Sequence, residues 1–98
     1  MSNDKCIKKA HHSEQFKNKL SKRLKIIEGQ VRGINTMILD DVYCDDILNQ
    51  ISSIQGALGS VRNVLLEVHI NSCVKDAFIN GEEDVILELM STLKKMMK

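Results

Sequence analysis

Ninety-eight residues with 43% apolar side chains, 3% aromatics and no proline suit one all-helical domain. Three cysteines are too few for the disulfide framework of a small secreted fold, and no apolar run approaches the length of a membrane span. The net charge of +1 excludes a uniformly basic protein, yet residues 1–33 hold nine Lys or Arg against three Asp or Glu, and residues 34–98 hold five against ten. A basic first third offers a surface to a polyanion such as nucleic acid, with a solvated helix face as the plain alternative.

Residues 1–12 mix Lys, Asn, Asp and His without hydrophobic periodicity and read as a mobile N-terminal tail, with Cys6 an incidental thiol within it. A single helical domain is expected over 13–98. Ser13 is a plausible N-cap, with Glu14 in the favourable first turn of a helix reaching about Leu39. Its stripe is Leu20, Leu24, Ile27, Val31, Ile34 and Ile38, spaced four and three, and one turn earlier it takes in Phe16. Other faces carry Lys17, Lys19, Lys22, Arg23, Lys25 and Arg32. Gly29 and Gly33 each cost about 1 kcal/mol against Ala inside a helix, which suggests a close approach of another helix there.

Asp40, Asp41 and Val42 form the break before a second helix. Asp45 and Asp46 match the positive end of its dipole, and Cys44 stands just before them. Ile47, Ile51, Ile54, Leu58, Val61, Leu65 and Val68 continue the alternation of four and three, the seam of a long helix packed on other helices. Gly56 and Gly59 interrupt it, but the periodicity runs through them, so an unbroken helix is expected. Asn80-Gly81 supplies a stop. Glu82, Glu83 and Asp84 then open a third helix bearing Val85, Ile86, Leu89, Met90, Leu93, Met96 and Met97, at the spacing of core or interface packing rather than of copper ligation.

His69 and Cys73, four residues apart, project from one face of a helix about a turn from each other. Cys44 lies 25 residues before His69, roughly 37 Å along a continuous helix at about 1.5 Å per residue. One chain cannot gather all three. Two copies packed antiparallel would bring Cys44 of one beside His69 and Cys73 of its partner, giving two equivalent sites per dimer. A chain this short buries only a thin core alone, which favours the same association. Two thiolates and an imidazole form a soft ligand set suited to Cu(I) and tolerant of Zn(II). A polar start without a signal peptide places the protein in the cytoplasm, where thiols stay reduced. No Cys-x-x-Cys, cofactor loop or acid-base pair supports an enzyme.

Three blocks, RLKIIEGQVRGI from Arg23 to Ile34, DDVYCDDILNQIS from Asp40 to Ser52 and LLEVHINSCV from Leu65 to Val74, closely resemble the copper-sensing repressors of the CsoR/RcnR family. The resemblance extends over nearly the whole chain after residue 12. It implies an all-α repressor of three helices per chain, an antiparallel four-helix-bundle homodimer assembling into a disc-like tetramer. The apo form would bind operator DNA, and Cu(I) would release it to derepress copper efflux or sequestration genes. Carried over by position, Cys44, His69 and Cys73 match the metal ligands, and Tyr43 and Glu88 match residues coupling that site to DNA. Glu88 aligns only with a one-residue gap after Gly81. Arg23 falls on a DNA-contact position, and Lys22, Lys25 and Arg32 would extend that surface.

His12 lies about where nickel- and cobalt-sensing relatives carry an extra N-terminal histidine, with His11 beside it. A fourth nitrogen would favour Ni(II) or Co(II). Cys73, however, replaces a histidine of those sensors, which favours copper. His69 is absent from the persulfide-sensing branch, and formaldehyde sensors lack a cysteine at the Cys73 position. A metal-binding protein without a regulatory role would need the same ligands but not the basic helix.

Overall fold

The computed structural model describes residues 12–97, and every regular element among them is helical: α1 (Glu14–Leu39), α2 (Cys44–His69), a π turn (Ile70–Val74), α3 (Lys75–Asn80) and α4 (Glu83–Met96). Helical backbone runs from α2 through the π turn into α3, so the chain has the three helical segments expected. The expectations for Cys6, His11 and the rest of the tail through residue 11 lie outside the described residues.

Ser13 caps α1 as its residue type suggests, its Oγ accepting from the Phe16 N–H at 3.1 Å. At the other end Asp41 adopts a left-handed φ of 56°. There the Val42 N–H reaches back to the Met37 carbonyl at 3.0 Å, and the Asp41 N–H to the Ile38 carbonyl at 3.2 Å. These two bonds make a Schellman closure, which consumes carbonyls the helix would otherwise leave open. The Tyr43 carbonyl then accepts from Asp46 at 3.1 Å and from Ile47 at 3.3 Å, starting α2. The Asn80-Gly81 stop repeats the same geometry. Gly81 has φ 72°, and the Glu82 N–H bonds the Ala77 carbonyl at 2.8 Å.

Contacts divide the chain into two compact units, one from His12 to Val64 and one holding, among the described residues, those from Leu65 onward. In the first, α1 packs on α2 through buried Leu20, Ile27, Ile54 and Val61, flanked by Phe16, Ile34, Ala57 and Val64. The four-residue connection between two helices packed along their length makes them an antiparallel hairpin. In the second, Val74, Ala77 and Val85 form a small core joined by Ile86 and Leu89. Met90 and Met97 are exposed, so only part of the apolar set expected of the last helix is covered within the chain.

The heptad stripes divide by layer. Leu20, Ile27, Ile54 and Val61, spaced by seven, are 8% or less exposed, whereas Leu24, Val31, Ile38, Ile51, Leu58 and Leu65 lie between 37% and 56%. Each stripe thus has one row turned into the hairpin and another, offset by three or four residues, left toward solvent.

Two expectations are corrected. Gly56 and Gly59 do not break α2, as anticipated, but Gly29 and Gly33 are not points of close helix approach within the chain. A Cβ at Gly33 would meet nothing within 4 Å, and one at Gly29 only Nη2 of Arg32 at 3.6 Å, because these glycines lie off the packed row. The second correction is the π turn, where an unbroken α-helical seam was expected from Cys44 through Cys73.

The two left-handed positions predict opposite substitutions. Asp41→Gly removes a Cβ from a left-handed backbone and should stabilise the fold by about 1 kcal/mol, whereas Gly81→Ala should destabilise it by about 1–2 kcal/mol. Equilibrium denaturation of the two variants against the parent checks both signs.

Candidate metal centre and basic helix

Cys44 is the first residue of α2, immediately after the carbonyl that opens the helix. It is exposed and carries a free thiol. Asp45 and Asp46 follow in the first turn, with Asn49 donating to Asp45 at 3.5 Å. Tyr43, before Cys44, is 73% exposed. His69 closes α2 at the opposite end of the same unbroken helix, and Cys73 falls inside the π turn, both of them half-buried.

Among the described residues, no three His, Cys, Asp or Glu gather to hold a metal ion. By donor chemistry the expected ligands fit Cu(I): two sulfurs and one imidazole nitrogen form the soft set that a monovalent ion of low coordination number takes. The expectation of thiols throughout is corrected at Cys73, which is disulfide-bonded. A disulfide sulfur is not the thiolate ligand, so metal binding by Cys73 requires prior reduction.

Between the two expected ligands the backbone widens. The Lys75 N–H is shared between the Ser72 carbonyl and that of Ile70, five residues back. Ser72 Oγ donates to the Val68 carbonyl at 2.7 Å, an ordinary distance for a hydroxyl bond. Sequence periodicity carried no sign of this turn. The one available signal was a serine placed four residues after a helical valine, where a hydroxyl can bond back to the carbonyl and bend the helix.

The basic helix is present as expected. Lys19, Lys22, Lys25 and Arg32 are exposed on α1, and Arg23 is half-buried beside the packed row. Ion pairs on α1 include Lys17–Glu14 at 3.5 Å and Arg32–Glu28 at 3.6 Å, all four side chains well exposed. Such pairs contribute little to stability. Their effect is on charge: Arg32 is partly neutralised by Glu28, while Lys22 and Lys25 carry their charge outward. Glu88 lies exposed on α4. The His12 ring rests on Phe16 with centroids 4.7 Å apart.

The model of the metal-sensitive transcriptional repressor family matches residues 16–95, a span containing most of α1, all three expected ligands and all but the last residue of α4. The chain belongs to this family. Within the family, it is 48% identical over 89 residues to the copper-sensing transcriptional repressor CsoR of Bacillus subtilis, covering 90% of this chain and 88% of that one. Its fold matches the Cu(I) complex of the copper-sensing repressor CsoR from Geobacillus thermodenitrificans with a TM-score of 0.81 and 45% identity, covering 92% and 95% of the two chains. The nickel-responsive transcriptional regulator InrS also matches, with a TM-score of 0.66 and 34% identity, over 90% of this chain and 97% of that one. This is a family of transcriptional repressors. No described helix is long and apolar enough to cross a membrane.

Proposed function

We propose that this chain is a Cu(I)-responsive transcriptional repressor whose apo form binds operator DNA and which leaves it when Cu(I) is bound, derepressing copper efflux or sequestration genes in the cytoplasm. The observation that carries this reading is the presence of Cys44, His69 and Cys73 in a chain 48% identical to a copper-sensing repressor. Cys44 of one protomer and the partner's His69 and Cys73 hold the ion in their reduced form, with Tyr43 and Glu88 linking that site to the rest of the protein. Residues 13–98 act as one sensing and DNA-binding domain once the chains assemble. The exposed row Leu24, Val31, Ile38, Ile51, Leu58 and Leu65 supports association into a homodimer and then a homotetramer, because apolar side chains in such a repeat are stabilised by burial.

Lys22, Arg23, Lys25 and Arg32 supply the DNA surface. Ligands and cations lie on different elements, so release is allosteric: holding the metal ties α2 of one protomer to its partner and biases the assembly toward a state with weaker DNA affinity. An ordinary coupling is on the order of 1–3 kcal/mol.

Cys73→Ala in the full-length reduced protein should retain operator binding yet fail to leave the operator on addition of Cu(I), as read by fluorescence anisotropy. Release at the parent's Cu(I) concentration would defeat the assignment. Lys22→Gln combined with Lys25→Gln should weaken operator binding and make the dependence of log affinity on log salt shallower by about 2, if each lysine meets one phosphate. An unchanged salt slope would remove these lysines from the interface.

The match to a nickel-responsive regulator favours one second reading, a Ni(II) or Co(II) sensor using His12 as an additional ligand. Stacking of His12 on Phe16 places that ring beside α1. His12→Ala should leave Cu(I) affinity unchanged. Tight Ni(II) binding that disappears in this variant, together with Ni(II)-driven operator release, would decide for the second reading.

A further inference from the structure

Only five residues separate α2 from α3, and they form a π turn containing one of the expected metal ligands and directly following another. In an α-helix, a residue four positions on lies about 40° beyond a full turn, at roughly 100° per residue. Bonds reaching back five residues widen the turn, so four steps fall short of a full circle. The direction of Cys73 relative to His69 is therefore set by how many residues the turn contains. Widened turns of this kind recur at functional sites.

Ser72 is placed to hold that choice. Its Oγ donates at 2.7 Å to the carbonyl of Val68, and Val68 and Ser72 are the residues immediately before His69 and Cys73. The hydroxyl thus clips together the two positions that precede the two ligands. Ser72 is itself exposed and contributes nothing to the Val74–Ala77–Val85 core, so its hydroxyl has no packing role there.

We propose that Ser72 is a positioning residue for the metal centre: its hydroxyl bond to the Val68 carbonyl holds the π turn, which orients His69 and Cys73 toward a common ion. This rests on the Cu(I) reading above. Truncating the hydroxyl lets the turn relax toward α-helical winding and rotates the two side chains relative to each other. Ser72→Thr keeps the hydroxyl and therefore keeps the orientation.

The test uses full-length reduced protein as parent, Ser72→Ala and Ser72→Thr. Three readouts are compared: Cu(I) affinity by competition with a chromophoric Cu(I) chelator, coordination by X-ray absorption, and operator affinity of the apo-protein. Ser72→Ala should lose about tenfold or more in Cu(I) affinity, as groups supporting metal ligands commonly do, and should show a changed sulfur and nitrogen shell. Its apo operator affinity should match the parent, and Ser72→Thr should restore both affinity and spectrum. If Ser72→Ala binds Cu(I) like the parent, or Ser72→Thr is as weak as Ser72→Ala, the positioning role is overturned while the copper reading stands. A parent that neither binds Cu(I) nor releases the operator overturns both.

Discussion

Everything proposed for this molecule depends on α2 remaining one helix from Cys44 to His69. Gly56 and Gly59 act against this, each costing about 1 kcal/mol relative to Ala. Burial of Ile54 and Val61 on either side of them acts for it, since a fully buried side chain of this kind is stabilised by about 1.5–3 kcal/mol. Packing against Leu20 and Ile27 of α1 outweighs the local propensity, and the helix continues. Cys44 is consequently the first residue of α2 and His69 its last.

The same repeat that closes the hairpin leaves the molecule unfinished by itself. One row of each stripe is buried, while the row offset by three or four residues stays toward solvent. A helix presenting two apolar rows can meet one neighbour along each. In the proposed assembly, metal binding and association are two consequences of one periodicity, because the partner helices covering the outer row would also carry the remaining ligands.

Local backbone geometry modulates this frame at its ends. Asp41 and Gly81 close their helices with the same pair of backward bonds, although only Gly81 enters the left-handed region without a Cβ penalty. The π turn at Ile70–Val74 interrupts regular winding where two expected ligands must point together. Disulfide bonding of Cys73 makes the oxidation state of this sulfur a condition for the metal binding proposed above, which needs the thiolate.

The all-helical class, the Ser13 cap, the Asn80-Gly81 stop and the uneven charge were legible in the sequence, because each depends on residue type or on spacing along one element. The separation of Cys44 from His69 was legible too, since helical rise converts residue number into distance. Other features required tertiary structure. Which row of each stripe is buried depends on how α1 meets α2, and Gly29 and Gly33 fall off that contact. The π turn depends on a balance between neighbouring backbone bonds and one serine hydroxyl, a difference of one residue per turn that apolar periodicity does not register.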